Sequence, residues 1–143
     1  TLFTDASFAS DFTTMKSISG SVFYYRSVAI AWKSARQTLR TYSTAESEFV
    51  AASDGIALAQ GMDFLDFFRK DKEYNHFVDN QSAVAIAKAT TTRPKSRHYA
   101  LRYLKVRDQA GQIAFCPTTL MKADGLGRFC SVISWTLISS IIS

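Results

Sequence analysis

Four carboxylates in this chain have positions that suit a cation site. Asp5 ends the first apolar run, Asp79 ends a later one, and Glu48 and Asp124 each lie near the start of a predicted helix. A buried carboxylate is costly unless it is paired or coordinated. A strand-ending aspartate such as Asp5 is either a turn residue that caps its strand or one ligand of a cation. Its own position does not decide between the two.

The elements around these carboxylates determine whether they can meet. If the first and fourth strands are parallel neighbours, Asp5 and Asp79 lie at the same edge of the sheet, where ligands gather in open α/β sheets. A helix packed on the sheet adds Glu48, and Asp124 is a candidate fourth member. Carboxylates this close repel one another unless cations lie between them. Hard oxygen ligands suit Mg²⁺, and two such ions roughly 3.5–4 Å apart suit in-line phosphodiester cleavage.

Apolar periodicity and turn residues predict one mixed α/β domain. Strands are predicted at 1–5, 19–27, 28–34, 74–79 and 112–117, and helices from 43 or 44 to as far as 68, and at 80–89, 98–109 and 120–129. Three successive strands favour an antiparallel meander, and the later alternation of strands and helices favours parallel pairing through crossovers. We therefore expect a five-stranded mixed sheet, with strands 1–3 antiparallel, flanked by α-helices.

Two glycines, Gly55 and Gly61, lie inside the long predicted helix that begins near Thr44. Glycine lowers helix propensity, so a glycine inside a helical pattern indicates either close packing against a neighbour or a break in the helix. The sequence leaves both explanations open.

Composition fits an ordinary globular domain with a weak preference for polyanions. The 143 residues are 47% hydrophobic and 20% charged, and the formal net charge is +5. Such a basic excess is compatible with a nucleic-acid partner but does not require one. Cys116 and Cys130 form no metal-type spacing and no disulfide framework, which favours a reducing intracellular setting. The first residues give no secretory-signal pattern and are predicted to lie inside a strand, so we expect a piece of a longer protein.

The C-terminal stretch 129–142, FCSVISWTLISSII, has no charged residue. It is shorter than the roughly 20 residues that a helix needs to cross a bilayer, so no membrane partner is expected. A buried terminal element and a tail foreign to the domain are both compatible with this composition. We therefore divide the chain into a domain at 1–128 and a tail at 129–143.

Four sequence blocks occur in a characteristic order and spacing: TDASFASDFTTMKSISGSVF, AIAWKSARQTLRTYSTAESEF, FVDNQSAVAIAKA and SRHYALRYLKVRD. Together they resemble the ribonuclease H domain of Ty1/copia-type retrotransposon polyproteins, over roughly residues 3–128. The resemblance implies a ribonuclease H-like fold. It also implies hydrolysis of the RNA strand of RNA/DNA hybrids during reverse transcription, with two Mg²⁺ ions for which Mn²⁺ can substitute.

The resemblance also assigns the site. The family's metal-binding carboxylates fall on Asp5, Glu48, Asp79 and Asp124, and a family histidine falls on His98, where it could assist proton transfer or simply anchor its helix. The helix glutamate of the family's motif falls on Glu48 and not on its neighbour at 46. Residues two apart on a helix point about 200° apart, so only one of the two glutamates can face the metals. The C-terminal A-D block around Asp124 departs from the family, which usually continues A-D-I-x-T-K where this chain reads KADGLGR.

Polar and basic residues near the carboxylates are predicted to bind nucleic acid. By resemblance Gln81 reaches the minor groove of the hybrid, where 2′-hydroxyls distinguish RNA from DNA, and Asn80 either joins it or caps the helix. The basic residues predicted to hold phosphates, each of which could equally be ordinary solvated surface, are Lys33, Arg36, Arg93, Lys95 and Arg97.

Two other functions stay open. The altered C-terminal block around Asp124 and the uncharged tail are compatible with a non-catalytic module that only binds nucleic acid or protein, since fold does not imply function. An integrase- or resolvase-like nuclease would keep the carboxylates and change the substrate to duplex DNA. By resemblance the partner domain is a reverse transcriptase N-terminal to this one in a parent polyprotein. The expected location is the cytoplasm, a virus-like particle or the nucleus.

Overall fold

The fold is a five-stranded mixed sheet with helices packed on it, as predicted. The computed structural model describes residues 1–11, 13–25, 27–62, 74–89 and 97–123. In chain order the elements are β1 (Leu2–Asp11), β2 (Lys16–Tyr25), β3 (Val28–Arg36), α1 (Thr44–Gln60), β4 (His76–Val78), α2 (Gln81–Lys88), α3 (Arg97–Asp108) and β5 (Ile113–Phe115), with 3-10 turns at Ala110–Gln112 and Thr118–Leu120. The strand order across the sheet is β3-β2-β1-β4-β5.

Strand pairing changes direction at β1. This strand is antiparallel to β2, which is antiparallel to β3. On its other side β1 is parallel to β4, which is parallel to β5. The predicted meander and the predicted parallel neighbours are therefore both present. The change of direction lies between the two strands that carry Asp5 and Asp79.

Strand β1 is longer than the sequence predicts. We expected it to end at Asp5, but it runs to Asp11 and pairs with β2 throughout, with a bulge between Ser7 and Asp11. The residues after Asp5 are mostly alanine and serine, which give little strand signal on their own. The ladder with β2 pairs Ala6, Ser7 and Asp11, and the chain between Ser7 and Asp11 bulges, with Ala9 at a φ of 46°. Tertiary pairing therefore overrides the weak local signal. Asp5 is accordingly a mid-strand residue and not a strand-ending turn residue.

Helix α1 begins at a variant of the capping box, in which Glu46 bonds the residue before the N-cap, and ends just before a glycine. Ser43 is the N-cap, and its hydroxyl accepts a hydrogen bond from the Glu46 N–H at 3.2 Å. The Glu46 carboxylate in turn accepts one from the Tyr42 N–H at 2.8 Å. The helix ends at Gln60, just before Gly61, and not at 68. Gly61 thus marks a break, whereas Gly55 is an interior residue of the helix.

Several other boundaries differ from the predicted ones by a few residues. Strands β2 and β3 occupy Lys16–Tyr25 and Val28–Arg36, and β4 and β5 are only three residues long. Where a helix was predicted from 120, residues 118–120 form a 3-10 turn, and 124–129 lie outside the described residues. The predicted domain boundary at 128 and the tail at 129–143 also lie outside them. No helix in the described part of the chain is long and apolar enough to cross a membrane.

The larger apolar cluster lies between the helices and one face of the sheet. Ile56 of α1, Tyr103 and Val106 of α3 and Val78 of β4 are buried there, together with alanines and a valine of α2. The opposite face of the sheet carries Phe3 with other aromatic residues, and residues 116–123 pack on it. Alternation along β1 assigns its even-numbered side chains to the helix face and its odd-numbered ones to the opposite face.

An ion pair joins α1 to α3. The Arg102 guanidinium lies 2.5 Å from the Asp54 carboxylate, and both side chains are about three-quarters buried. The Ser19 hydroxyl of β2 donates a second hydrogen bond to Asp54 at 3.3 Å. This arrangement ties one sheet strand and two helices together.

Candidate active site

Strand register places Asp5 next to Asp79. The last paired residues of β1 and β4 are Thr4 and Val78, so each aspartate is the next residue beyond that pair. Asp5 is buried and Asp79 is half-buried. Strand β4 ends at Val78, so it covers its side of β1 only as far as Thr4. At Asp5 that side of β1 is open to another element.

Glu48 of α1 fills that position. Its Oε1 atom accepts a hydrogen bond from the Ala6 N–H of β1 at 3.1 Å. Asp5, Glu48 and Asp79 each offer a carboxylate oxygen, and these oxygens all lie within 4.8 Å of one another. The structure therefore brings together three of the four carboxylates that the sequence singles out.

The surroundings of Glu48 disfavour its charged form. Burial, with the Asp5 and Asp79 carboxylates as further causes, raises the pKa of Glu48 from an ordinary 4.5 to about 9, although the Ala6 N–H opposes the shift. Without a counter-charge this carboxyl is protonated at neutral pH. The cluster thus holds less negative charge in isolation than three carboxylates would carry in water.

The donor set fits a hard divalent cation. All three groups offer oxygen, the kind of ligand that Mg²⁺ and Mn²⁺ take in proteins. Oε2 of Glu48 is buried, and no N–H or O–H group among the described residues donates a hydrogen bond to it. A buried oxygen without a partner is costly, and a cation would satisfy it and remove the repulsion among the three carboxylates.

The two glutamates at the start of α1 have different surroundings. Glu46 belongs to the capping box, where its carboxylate receives the Tyr42 N–H. Glu48 points to the sheet edge and is 3% exposed. The structure places Glu48, and not Glu46, beside Asp5, in agreement with the choice made from the sequence.

Two contacts to the cluster carried no signal in the sequence. The Thr118 hydroxyl, in the 3-10 turn after β5, donates to Oδ2 of Asp79 at 3.1 Å. The Ala6 N–H holds Glu48 as described above. A backbone donor has no side-chain signature, and Thr118 lies 39 residues from its partner. Neither could be found from residue type or spacing.

The residues after Asp79 adopt a capped helix start. The Asn80 side chain caps α2 by accepting a hydrogen bond from the Ala83 N–H at 2.9 Å. Gln81 is the first residue of α2 and is exposed. Capping by Asn80 is therefore established, while contact of Asn80 and Gln81 with nucleic acid stays a prediction.

Lys33 and Arg36 lie on β3, two strands away from β1. Both are exposed. The ladders align Lys33 with Ser21 and Thr4, and Arg36 with Ile18 and Ser7. By alternation Arg36 lies on the same face of the sheet as Asp5, and Lys33 on the opposite face. Neither belongs to the carboxylate cluster, and their contact with phosphates stays a prediction.

The remaining predicted site residues are only partly covered by the structure. Arg97 and His98 are the first two residues of α3, and their side chains lie outside the described part. Asp124, Arg93 and Lys95 lie outside the described residues altogether. Their assignments to metal or nucleic acid rest on the sequence alone.

Solved structures share this architecture. LC11-RNase H1, isolated from compost, is 17% identical with a TM-score of 0.62, and the match covers 99% of this chain and 96% of that one. The N-terminal RNase H domain of a Mycobacterium tuberculosis protein, solved as a fusion with maltose-binding protein, is 14% identical with a TM-score of 0.58 and the same coverage. At these identities the likeness shows the fold, which is ribonuclease H-like.

A relative with closer sequence comes from a plant transposon. The chain is 32% identical over 111 residues, 74% of its length, to the retrovirus-related Pol polyprotein from transposon TNT 1-94 of Nicotiana tabacum. No family model matches the chain. The chain belongs to the retrotransposon Pol polyproteins and corresponds to their ribonuclease H domain. It spans 8% of the length of that tobacco polyprotein.

Proposed function

We propose that this domain is a divalent-metal-dependent endonuclease that hydrolyses the RNA strand of RNA/DNA hybrids during retrotransposon reverse transcription. The observation that carries the proposal is the cluster of Asp5, Glu48 and Asp79, in which a buried Glu48 oxygen has no partner among the described residues. Two further observations support the proposal. The cluster lies where the pairing of β1 with β4 ends in a ribonuclease H-like sheet, and the chain belongs to the Pol family.

The three carboxylates would hold Mg²⁺, or Mn²⁺ in its place. Two bound ions would supply an activated water and neutralise the charge on the leaving oxygen. The protein's own part is to hold the ligands. The Ala6 N–H orients Glu48, and the Thr118 hydroxyl orients Asp79. Asp124 would add a fourth ligand.

Polar and basic residues near the three carboxylates would bind the hybrid and transfer protons. Gln81 and Asn80 lie directly after Asp79, within reach of a strand whose phosphate lies at the carboxylates. Lys33 and Arg36, with Arg93, Lys95 and Arg97, would hold the phosphate backbone, and His98 would assist proton transfer. The partner domain would be a reverse transcriptase in the parent polyprotein. The domain would act in cytoplasmic virus-like particles or in the nucleus.

A cleavage assay with matched aspartate variants tests this proposal. On a labelled RNA/DNA hybrid with Mg²⁺, Asp79→Asn should lose activity by on the order of a thousandfold, because one metal ligand is removed. Asp54→Asn makes the same chemical change on the α1–α3 ion pair and should cleave close to the wild-type rate. The products should carry 3′-hydroxyl and 5′-phosphate ends.

Each other outcome points to a different function. Equal rates for Asp79→Asn and wild type would refute the assignment of the site. Binding of hybrid without cleavage at saturating Mg²⁺ would indicate a non-catalytic module. Cleavage of duplex DNA that contains no ribose would indicate an integrase- or resolvase-like substrate. Ca²⁺ in place of Mg²⁺ should bind but support little cleavage, since its looser coordination fits in-line geometry poorly.

A further inference from the structure

Thr4 lies where the three elements that carry the clustered carboxylates meet. It is fully buried and directly precedes Asp5 on β1. Its Cα is paired with that of Val78, the residue before Asp79 on β4. As an even-numbered residue of β1 it points to the helix face of the sheet, toward α1.

The methyl group of Thr4 packs against Gly55 of α1. A Cβ atom built on Gly55 would lie only 2.2 Å from Cγ2 of Thr4, closer than any two such carbons can approach. The helix therefore comes this near to β1 only because residue 55 has no side chain. Glu48 lies seven residues before Gly55, about 10 Å along the helix axis and on nearly the same face. The Thr4–Gly55 contact thus sets how close that face of α1, with Glu48, lies to β1.

The hydroxyl group of Thr4 is bonded to β4. Oγ1 of Thr4 and Nε2 of His76 are joined by a buried hydrogen bond of 2.8 Å. His76 is itself fully buried, and its Nδ1 has no partner among the described residues. Burial lowers the pKa of His76 to about 3, so the ring is neutral at pH 7. His76 lies three residues before Asp79, so this bond ties Thr4 to the strand that carries Asp79.

The hydrogen bond matters because the β1–β4 pairing is short. Only three residue pairs align the strands, Leu2 with His76 through Thr4 with Val78. A slip of two residues would preserve which side chains face the helices, yet would move Asp79 relative to Asp5 by about 7 Å. The bond from Thr4 to His76 crosses the pair diagonally, and such a slip would break it.

We propose that Thr4 is a positioning residue that sets the spacing of Asp5, Glu48 and Asp79, by its methyl contact with Gly55 and its hydrogen bond to His76. The residues Thr4, Gly55 and His76 form a joint beneath the carboxylates. This inference rests on the proposed function, because it assumes that the three carboxylates act together on a metal. It adds that contacts in the interior of the sheet, and not only the direct contacts of the carboxylates, determine the geometry of the metal site.

A hydroxyl deletion that keeps the shape of the side chain tests the joint. Thr4→Val retains a methyl group against Gly55 but leaves His76 Nε2 without its partner. It should raise the Mg²⁺ concentration for half-maximal binding, measured by calorimetry, and lower kcat, each by about tenfold, with KM for the hybrid unchanged. Thr4→Ser restores the hydroxyl and should recover most of kcat and of the metal affinity.

A matched control separates positioning from stability. Thr41→Val removes another buried threonine hydroxyl, which pairs with Ser17 at 3.1 Å. It should lower the melting temperature while kcat and Mg²⁺ affinity stay at wild-type values. If Thr4→Val behaves like Thr41→Val when both are fully folded, Thr4 is merely structural and the proposal is wrong.

A double-mutant cycle with His76→Leu gives a second test. Both single changes remove the same hydrogen bond, so the double variant should lose no more kcat and Mg²⁺ affinity than the more severe single variant. If the losses of kcat and Mg²⁺ affinity in the two single variants multiplied in the double variant, the proposed role of the joint would be refuted. A wild-type protein that binds Mg²⁺ but cleaves nothing would refute the proposed function alone, and the binding measurements would then decide the joint. A wild-type protein that binds no divalent metal would refute both.

Discussion

Two of the acidic side chains of helix α1, Glu48 and Asp54, have opposite electrostatic surroundings. Asp54 has Arg102 at 2.5 Å and the Ser19 hydroxyl at 3.3 Å. Glu48 has the Asp5 and Asp79 carboxylates as neighbours, and one of its oxygens has no partner among the described residues. The two residues lie six positions apart on one helix, so helix structure alone does not explain the difference.

The contrast shows how a binding site differs from a structural contact in the same element. The charge of Asp54 is balanced within the fold, so the ion pair is complete without a ligand. The charges around Glu48 are balanced only if something is added from solution. A cluster of like charges with an unpartnered buried oxygen is therefore better evidence of a cation site than the count of acidic residues.

The largest effect expected from this contrast is in the pH dependence of metal-free stability. The folded pKa of Glu48 is about 9 and its ordinary value is 4.5, so the folded state keeps a proton that the unfolded chain loses. The stabilisation present below pH 4.5 is lost as pH rises toward 9, which amounts to about 3 kcal/mol by pH 7. Urea unfolding in a chelator from pH 5 to 8 should show this decline in wild type and Asp54→Asn, but not in Glu48→Gln. Parallel pH profiles for all three proteins would contradict it.

A slightly smaller effect is expected when the missing charge is supplied. Mg²⁺ that binds only the folded state should stabilise it by about 2.7 kcal/mol at a hundredfold excess over the dissociation constant. Asp5→Asn should equal or exceed wild type in metal-free stability, because one repulsive charge is removed, and should lose most of the gain from Mg²⁺. Asp54→Asn should keep the whole gain. Thermal melts with and without Mg²⁺ measure both quantities, and an identical Mg²⁺ response in Asp5→Asn and wild type would mean that Asp5 holds no metal.

The smallest effect belongs to the ion pair. Asp54→Asn should lower the free energy of unfolding by about 1 kcal/mol, as expected for a charged hydrogen bond that is only partly buried. A cycle with Arg102→Met should assign most of that loss to the pair, and 1 M salt should reduce it. If Asp54→Asn responded to Mg²⁺ differently from wild type, Glu48 and Asp54 would not be electrostatically independent and the comparison would fail.

The sequence was most informative where chemistry and chain order coincide. Asp5 and Asp79 were predicted to meet because each follows an apolar run and the runs were predicted to be parallel neighbours, which the register confirms. Glu48 was preferred to Glu46 on helix periodicity and resemblance, and the structure places it beside Asp5. The glycines of α1 were ambiguous in sequence, and the structure gives one explanation to each: Gly55 packs closely and Gly61 ends the helix.

The sequence failed where contacts between distant residues decide the outcome. The extension of β1 past Asp5 depends on pairing with β2, since alanine and serine carry little strand preference of their own. The Thr4–His76 bond joins residues 72 positions apart. Nothing in the spacing of His76 indicates which partner it has. Such contacts follow from packing in three dimensions and have no local signature.

The position of β3 at one end of the sheet has a consequence for experiments on nucleic-acid binding. In the described strand order β3 has a neighbour on one side only, so its outer edge offers backbone hydrogen-bonding groups to another chain. Charged side chains on such a strand discourage edge-to-edge association between molecules. Lys33 and Arg36 are exposed charges on this strand, and such charges are expected to oppose association through its edge. Variants that neutralise these charges to weaken hybrid binding could self-associate instead. Light scattering measures the molar mass in solution and so separates a loss of affinity from self-association.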